Sequence, residues 1–233
     1  VEVRRRIEVA ASRAGRDARA VTLIAVSKTV GVEAIREAIS AGIHDFGENR
    51  VQELVTKAPA FSTPAAPRWH LIGTLQRNKV RKAVACCHGI HSIDSVSLAQ
   101  HVSDEAVGQD RQIEVFAQVN VSGEITKSGF SLREIEACAD QLAPLPGLVW
   151  RGLMTIAPEH ADAGDLRSVF GTLRQLHSRL GQCFQPTTWN ALSMGMSDDF
   201  EIAVEEGATH VRVGRAIFGE RPRQAKHRRD ESS

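Results

Sequence analysis

Tyrosine is absent from this chain of 233 residues. That gap removes a common proton-transfer side chain from any chemistry assigned to it. Cysteine is sparse and poorly placed for a scaffold: Cys86, Cys87, Cys138 and Cys183 make no CxxC pair and no ligand-spaced cluster with histidine. Adjacent cysteines are poor geometry for a mutual disulfide, so neither a disulfide framework nor a metal site is expected, and a reducing cytosol suits the chain. A dominant charge is missing too. The net charge of +1 gives no general pull toward nucleic acid or a polyanionic surface. No apolar stretch approaches a membrane span and no signal-peptide pattern opens the chain. The expectation is a cytoplasmic protein that binds neither nucleic acid nor membrane. No GxGxxG follows the first apolar run, which argues against a dinucleotide fold.

What is present is an eight-fold alternation. Apolar runs of strand length recur at Val21–Ser27, Ile43–Phe46, Trp69–Gly73, Gly89–Ile93, Ile113–Val121, Leu148–Met154, Thr188–Ser193 and His210–Val213. Helical periodicity fills the intervals near Val32–Ala41, Arg50–Lys57, Asn78–Ala85, Val96–Glu105, Leu132–Leu142, Ala163–Leu180 and Asp198–Glu206. An amphipathic helix precedes them in about the first dozen residues. Ser131, with Glu134 three residues on, and Ser197-Asp198-Asp199 supply helix starts. Eight such repeats in a chain of this size predict an α/β fold, a single (β/α)8 TIM-type barrel with an extra N-terminal helix. Residues 1–220 make the barrel. Residues 221–233, with Arg221, Arg223, Lys226, Arg228 and Arg229, read as a flexible basic tail.

Such barrels carry their chemistry where the strands finish. Lys28 closes the first run; burial there disfavours the ammonium form, and a neutral lysine amine can condense with an aldehyde. The competing reading is a lysine whose stem packs while its head reaches water. Asn49 follows the second strand and offers donor and acceptor, or caps the helix after it. His70 lies within an apolar strand, where a satisfied core histidine is the commoner outcome. Met154 suits a flat ligand or ordinary core. The loop Ser122–Phe130 either covers a ligand or is a surface excursion. After the seventh and eighth strands come the small-residue turns Ser193-Met194-Gly195 and Gly214-Arg215, where barrels commonly hold phosphate. Alternation sets His210 and Arg212 on one face and Val211 and Val213 on the other. If the valines meet the helices, Arg212 points into the barrel. An aldehyde-reactive lysine, a phosphate cradle and an inward guanidinium together match pyridoxal 5′-phosphate (PLP).

The stretches Ala25–Thr29, Asp45–Glu53, Trp69–Lys79, Gln118–Ser122, Lys127–Gly129, Gly152–Met154, Leu192–Asp199 and Val211–Gly219 resemble the pyridoxal phosphate homeostasis proteins. These are single-domain barrels related in fold to the N-terminal domain of alanine racemase. The resemblance implies Lys28 as the Schiff-base lysine and Arg212 facing the pyridine nitrogen, with Asn49 near the ring. It implies a phosphate held by Ser193, Met194, Gly195, Gly214 and Arg215, and a monomer. Relatives often carry a small hydroxyl residue where Arg215 stands; a backbone contact survives that change, a side-chain hydroxyl bond does not.

An arginine is too weak an acid to protonate the ring nitrogen, so the cofactor would be a poor electron sink. Alanine racemase tolerates such an arginine but uses a tyrosine base and a second domain, and this chain has no tyrosine. No catalytic residue is therefore expected. The reading is a carrier or buffer of PLP that hands it to apo-enzymes. The alternatives are a weak amino-acid enzyme using His70, Lys28 or water as proton shuttle, and a Schiff-base aldolase on a phosphosugar.

Overall fold

The computed structural model describes residues 2–61, 66–124, 126–185 and 187–219. The eight strands are β1 (Thr22–Val26), β2 (Asp45–Glu48), β3 (Arg68–Leu71), β4 (Gly89–Ile93), β5 (Ile113–Gln118), β6 (Leu148–Met154), β7 (Ala191–Ser193) and β8 (His210–Val213). They pair in parallel, each with its sequence neighbours, and β8 pairs with β1 to close the barrel. The helices are α1 (Glu2–Arg13), α2 (Val32–Ser40), α3 (Val51–Lys57), α4 (Val80–Cys86), α5 (Val96–Gly108), α6 (Leu132–Leu142), α7 (Ala163–Leu180), α8 (Phe200–Glu205) and α9 (Arg215–Phe218). The expected (β/α)8 barrel with an added first helix is what forms. The tail at 221–233 lies outside the described residues.

Alternation along the strands sorts the side chains into two layers. Leu23, Ala25, Phe46, Leu71, Ile90, Val115, Leu153, Leu192, Val211 and Val213 join the helices in one large apolar cluster. Phe116, Met154 and Ala191 form a separate small cluster, on the faces that point into the barrel. Met154 is thus buried core. α1 seals the seam of the barrel against α8: Arg6 makes a two-pronged bond to Glu201 and lies over the Phe200 ring.

The boundaries differ from expectation in informative places. β2 runs two residues later than Ile43–Phe46, because Gly47 and Glu48 are buried and register with β3. β7 starts only at Ala191: the Thr188 and Trp189 N–H groups turn back to the Gln185 carbonyl instead of joining the sheet. β5 leaves the sheet after Gln118, and Asn120 donates to the Phe130 carbonyl. Ser131 and Glu134 form the expected capping box on α6. The cap expected from Ser197-Asp198-Asp199 is not made. Asp199 stands at the start of α8 without a side-chain cap, and its carboxylate instead accepts the Met196 N–H, closing the turn after β7.

Three tryptophans are buried. Trp69 sits between Phe46 and Phe61, while Trp150 and Trp189 gather around Phe184 on the opposite side of the sequence order.

Candidate functional site

Arg212 enters the barrel from β8 and is 4% exposed. Its guanidinium donates to the Ser193 hydroxyl at 2.7 Å and to the Thr155 carbonyl at 2.8 Å. Both partners lie where β7 and β6 finish. Burial pushes its pKa down to about 10, with Asp199 opposing, so it stays cationic at neutral pH.

Ser193 passes the interaction on. An arginine can only donate, so the Ser193 oxygen accepts there and its one hydrogen is left for Nδ1 of His91, 2.8 Å away. His91 is buried, and burial, then His70, His210 and Arg212, hold its pKa well below the ordinary histidine value. The neutral ring therefore carries its proton on Nε2, which faces Nδ1 of His70 at 3.1 Å. His70 in turn donates from Nε2 to Asp45 at 2.9 Å. Asp45, the first residue of β2, also receives a pair of bonds from half-exposed Arg68. Burial works against the Asp45 carboxylate, yet His70 and Arg68 hold it well below its ordinary range. A one-way hydrogen-bonded chain thus crosses the interior from the strand starts to the strand finishes. His210 packs edge-on to Phe116 and His91 beside it, and burial lowers its pKa to about 3.

A second polar network lies on the outer face of β1 and β2, against α3. Glu48 is fully buried. Its Oε1 accepts from the Ser27 hydroxyl at 2.7 Å and from Lys57 Nζ at 2.8 Å. Lys57 also donates to the Ser27 carbonyl at 2.8 Å and to Glu53 at 3.0 Å. Glu53 accepts the Thr29 N–H at 2.8 Å. Burial raises the Glu48 pKa, with Lys57 and Ser27 opposing.

Lys28 lies between Ser27 and Thr29, half-buried, two residues past β1. Gly214 follows neighbouring β8, and a Cβ there would sit 3.4 Å from the Val26 carbonyl oxygen, so the ends of β1 and β8 meet closely. Gly195 has φ +93°, and a Cβ there would lie 2.6 Å from Ala203 Cβ; only glycine fits that turn. The Met194 N–H donates to the His210 carbonyl, and the Gly214 N–H to the Ser197 hydroxyl. Arg215 is exposed and pairs with Asp198. Asn49 is half-buried directly after β2. It is not the cap of α3, a position held by Arg50 without a side-chain bond. Its backbone is pinned instead: a Cβ on Gly73 would lie 2.3 Å from the Asn49 carbonyl oxygen.

The loop after β5 folds back on itself, Asn120 donating to the Glu124 carbonyl. It borders a cavity of about 220 Å³ lined in part by Thr74, Asn120, Lys127 and Ile156. His70 is the satisfied core group expected of a strand histidine. Sequence reasoning passed over His91, Asp45, Thr155, Glu48 and Lys57. The available signal was a polar residue at an inward position of an apolar strand, as His91 is in Gly89–Ile93. Among the described residues no group of three or more His, Cys, Asp or Glu side chains could hold a metal, and no helix is long and apolar enough to cross a membrane.

The chain matches the alanine racemase N-terminal domain family over residues 2–222. The pyridoxal phosphate homeostasis protein of Pseudomonas aeruginosa is 42% identical over 220 residues, covering 94% of this chain and 93% of the relative. PipY of Synechococcus elongatus PCC7942, solved with PLP bound, superposes with a TM-score of 0.81 at 39% identity, covering 92% of this chain and 100% of that one. Solved without PLP, PipY gives 0.83 at 40% identity, covering 91% and 99%.

Proposed function

The chain belongs to the pyridoxal phosphate homeostasis protein family, and from that premise we propose that it binds PLP through a Schiff base on Lys28. It acts inside the cell as a carrier or buffer of the cofactor, handing it to apo-enzymes, and works as a monomer in the cytoplasm. The observation that carries this reading is Arg212, a buried cation held at the strand finishes, on the strand beside the one that ends near Lys28.

The donor set fits PLP. Arg212 would face the pyridine nitrogen and Asn49 would lie near the ring. Ser193, Met194, Gly195, Gly214 and Arg215 would surround the phosphate. Since the Ser193 hydroxyl, the Met194 N–H and the Gly214 N–H already have protein partners, the cradle leans most on the backbone of Gly195 and Arg215. Bound PLP supplies an aldehyde for a lysine amine and a ring able to draw electrons from it. Arg212 would leave the ring nitrogen without an acidic donor, because it has no acidic proton to give at neutral pH. No tyrosine base stands in the chain. His70, weighed as a proton shuttle, has both ring nitrogens engaged next to Asp45 at the start of β2. The residues bind and shield a reactive aldehyde, and among the described residues no complete proton-transfer set is assembled.

The test is a visible spectrum of PLP-loaded protein before and after borohydride reduction, on wild type and Lys28→Ala. A band that reduction fixes onto Lys28, and that the variant lacks, is the expected result. A colourless protein after PLP addition overturns the reading and brings the phosphosugar aldolase forward.

A further inference from the structure

The outer network is expensive to build. A buried ion pair is poor evidence of stabilisation, since desolvation offsets much of the attraction. Here a carboxylate with no exposed surface has one oxygen, Glu48 Oε2, that makes no hydrogen bond among the described residues. Backbone strain lies beside it. Thr29 is β-branched yet sits at φ +65°, a left-handed conformation that strains such a residue. A chain selected for stability alone would place glycine there.

Strain of this kind marks a position that its surroundings over-determine. The network does that over-determining, and does it on both sides of one residue. Before Lys28, the Ser27 hydroxyl is held by Glu48 and the Ser27 carbonyl by Lys57. After it, the Thr29 N–H is held by Glu53. Lys57 bridges the two carboxylates, so both anchors move together. The Ser27 N–H donates to the Gly47 carbonyl, and the Val30 N–H returns to the Ser27 carbonyl, completing a fixed turn.

We propose that Glu48, Glu53 and Lys57 are positioning residues for Lys28, clamping the backbone on either side of it so that its amine points to one place. The clamp rests on the Schiff-base reading above. It acts from behind the barrel wall, touching neither cofactor nor reacting atoms, and spends strain at Thr29 to fix a direction at Lys28.

Glu53 gives the cleanest variant, because it is partly exposed and its loss leaves no buried charge stranded. Amide exchange of Thr29 in cofactor-free protein and the rate at which the visible band forms on adding PLP are compared in wild type, Glu53→Ala, Glu53→Gln and Lys28→Ala. Glu53→Ala is expected to speed Thr29 exchange and slow band formation by about tenfold or more, the usual effect of losing a hydrogen bond to a charged group. Glu53→Gln keeps a carbonyl acceptor for Thr29 and is expected to stay within about threefold of wild type in both. A wild-type Thr29 amide that exchanges like an open loop overturns the clamp. So does a Glu53→Ala protein that forms the band at the wild-type rate while Lys28→Ala forms none. A band that survives Lys28→Ala overturns the Schiff-base reading itself, and the clamp with it.

Discussion

The interior of the barrel and the outer face of β1 and β2 each bury polar side chains, and they do so in different ways. Inside the barrel, Asp45, His70, His91, Ser193 and Arg212 hand hydrogen bonds along one direction, and the His91 ring between the two charged ends is neutral. Outside, Glu48, Glu53 and Lys57 crowd three formal charges around the Ser27–Thr29 turn and, among the described residues, leave one carboxylate oxygen without a hydrogen bond. The inner chain separates its charges and satisfies the groups between them, the low-cost way to bury polarity. The outer cluster puts like charges together and depends on one ammonium. Stability explains the first arrangement well and the second badly.

Removing that ammonium gives the largest expected effect. Lys57→Met leaves Glu48 buried and uncompensated, and is expected to cost about 3–5 kcal/mol. The double variant Glu48→Leu with Lys57→Met recovers most of the loss, because both charges go together. Urea unfolding at unchanged denaturant slope measures both. If the double variant is as unstable as the single one, the outer cluster is a stability device and the contrast fails.

A smaller effect separates the two networks by pH. The Asp45 carboxylate is depressed in the folded state, so its contribution is present above the unfolded value of about 3.9 and is lost as pH falls below it. Glu48 is raised, so the folded state takes up a proton first. Stability from that source is lost as pH rises from the unfolded value of about 4.3 through the folded one. Asp45→Asn and Glu48→Gln should therefore change the slope of urea midpoint against pH in opposite senses. Equal slopes would place the two carboxylates in equivalent surroundings.

The smallest perturbation is none at all. Nitrogen-15 NMR of unmodified protein should show His91 carrying its proton on Nε2. A His91 proton on Nδ1 instead breaks the chain's direction.

Most of the architecture was legible because each strand is an apolar run and each helix repeats at its own period. The displaced strand β2 was not, since Gly47 and Glu48 look like a loop until Lys57 arrives from a helix nine residues on. Lys28 and Arg212 stood out through position: one closes a strand, the other alternates with valines that do meet the helices. For Asn49 only the cap reading fails, because Arg50 takes that position, and the close approach of Gly73 fixes its backbone. The inner chain stayed hidden because its members come from β2, β3, β4, β7 and β8, and alternation within one strand says nothing of partners on another. Arg215 has its own partner in Asp198, a tertiary fact no turn pattern contains.

The missing tyrosine returns as an optical property. Ultraviolet emission from this protein comes from indole alone, and the three indoles are buried in two places. Trp69 lies with Phe46 and Phe61 on the early strands, and Trp150 and Trp189 lie with Phe184 on the late ones. The barrel thus carries a built-in reporter in each half, with no phenol background to subtract. Replacing one group of tryptophans with phenylalanine lets the opening of the lysine-bearing half be watched apart from that of the half bearing the seventh strand.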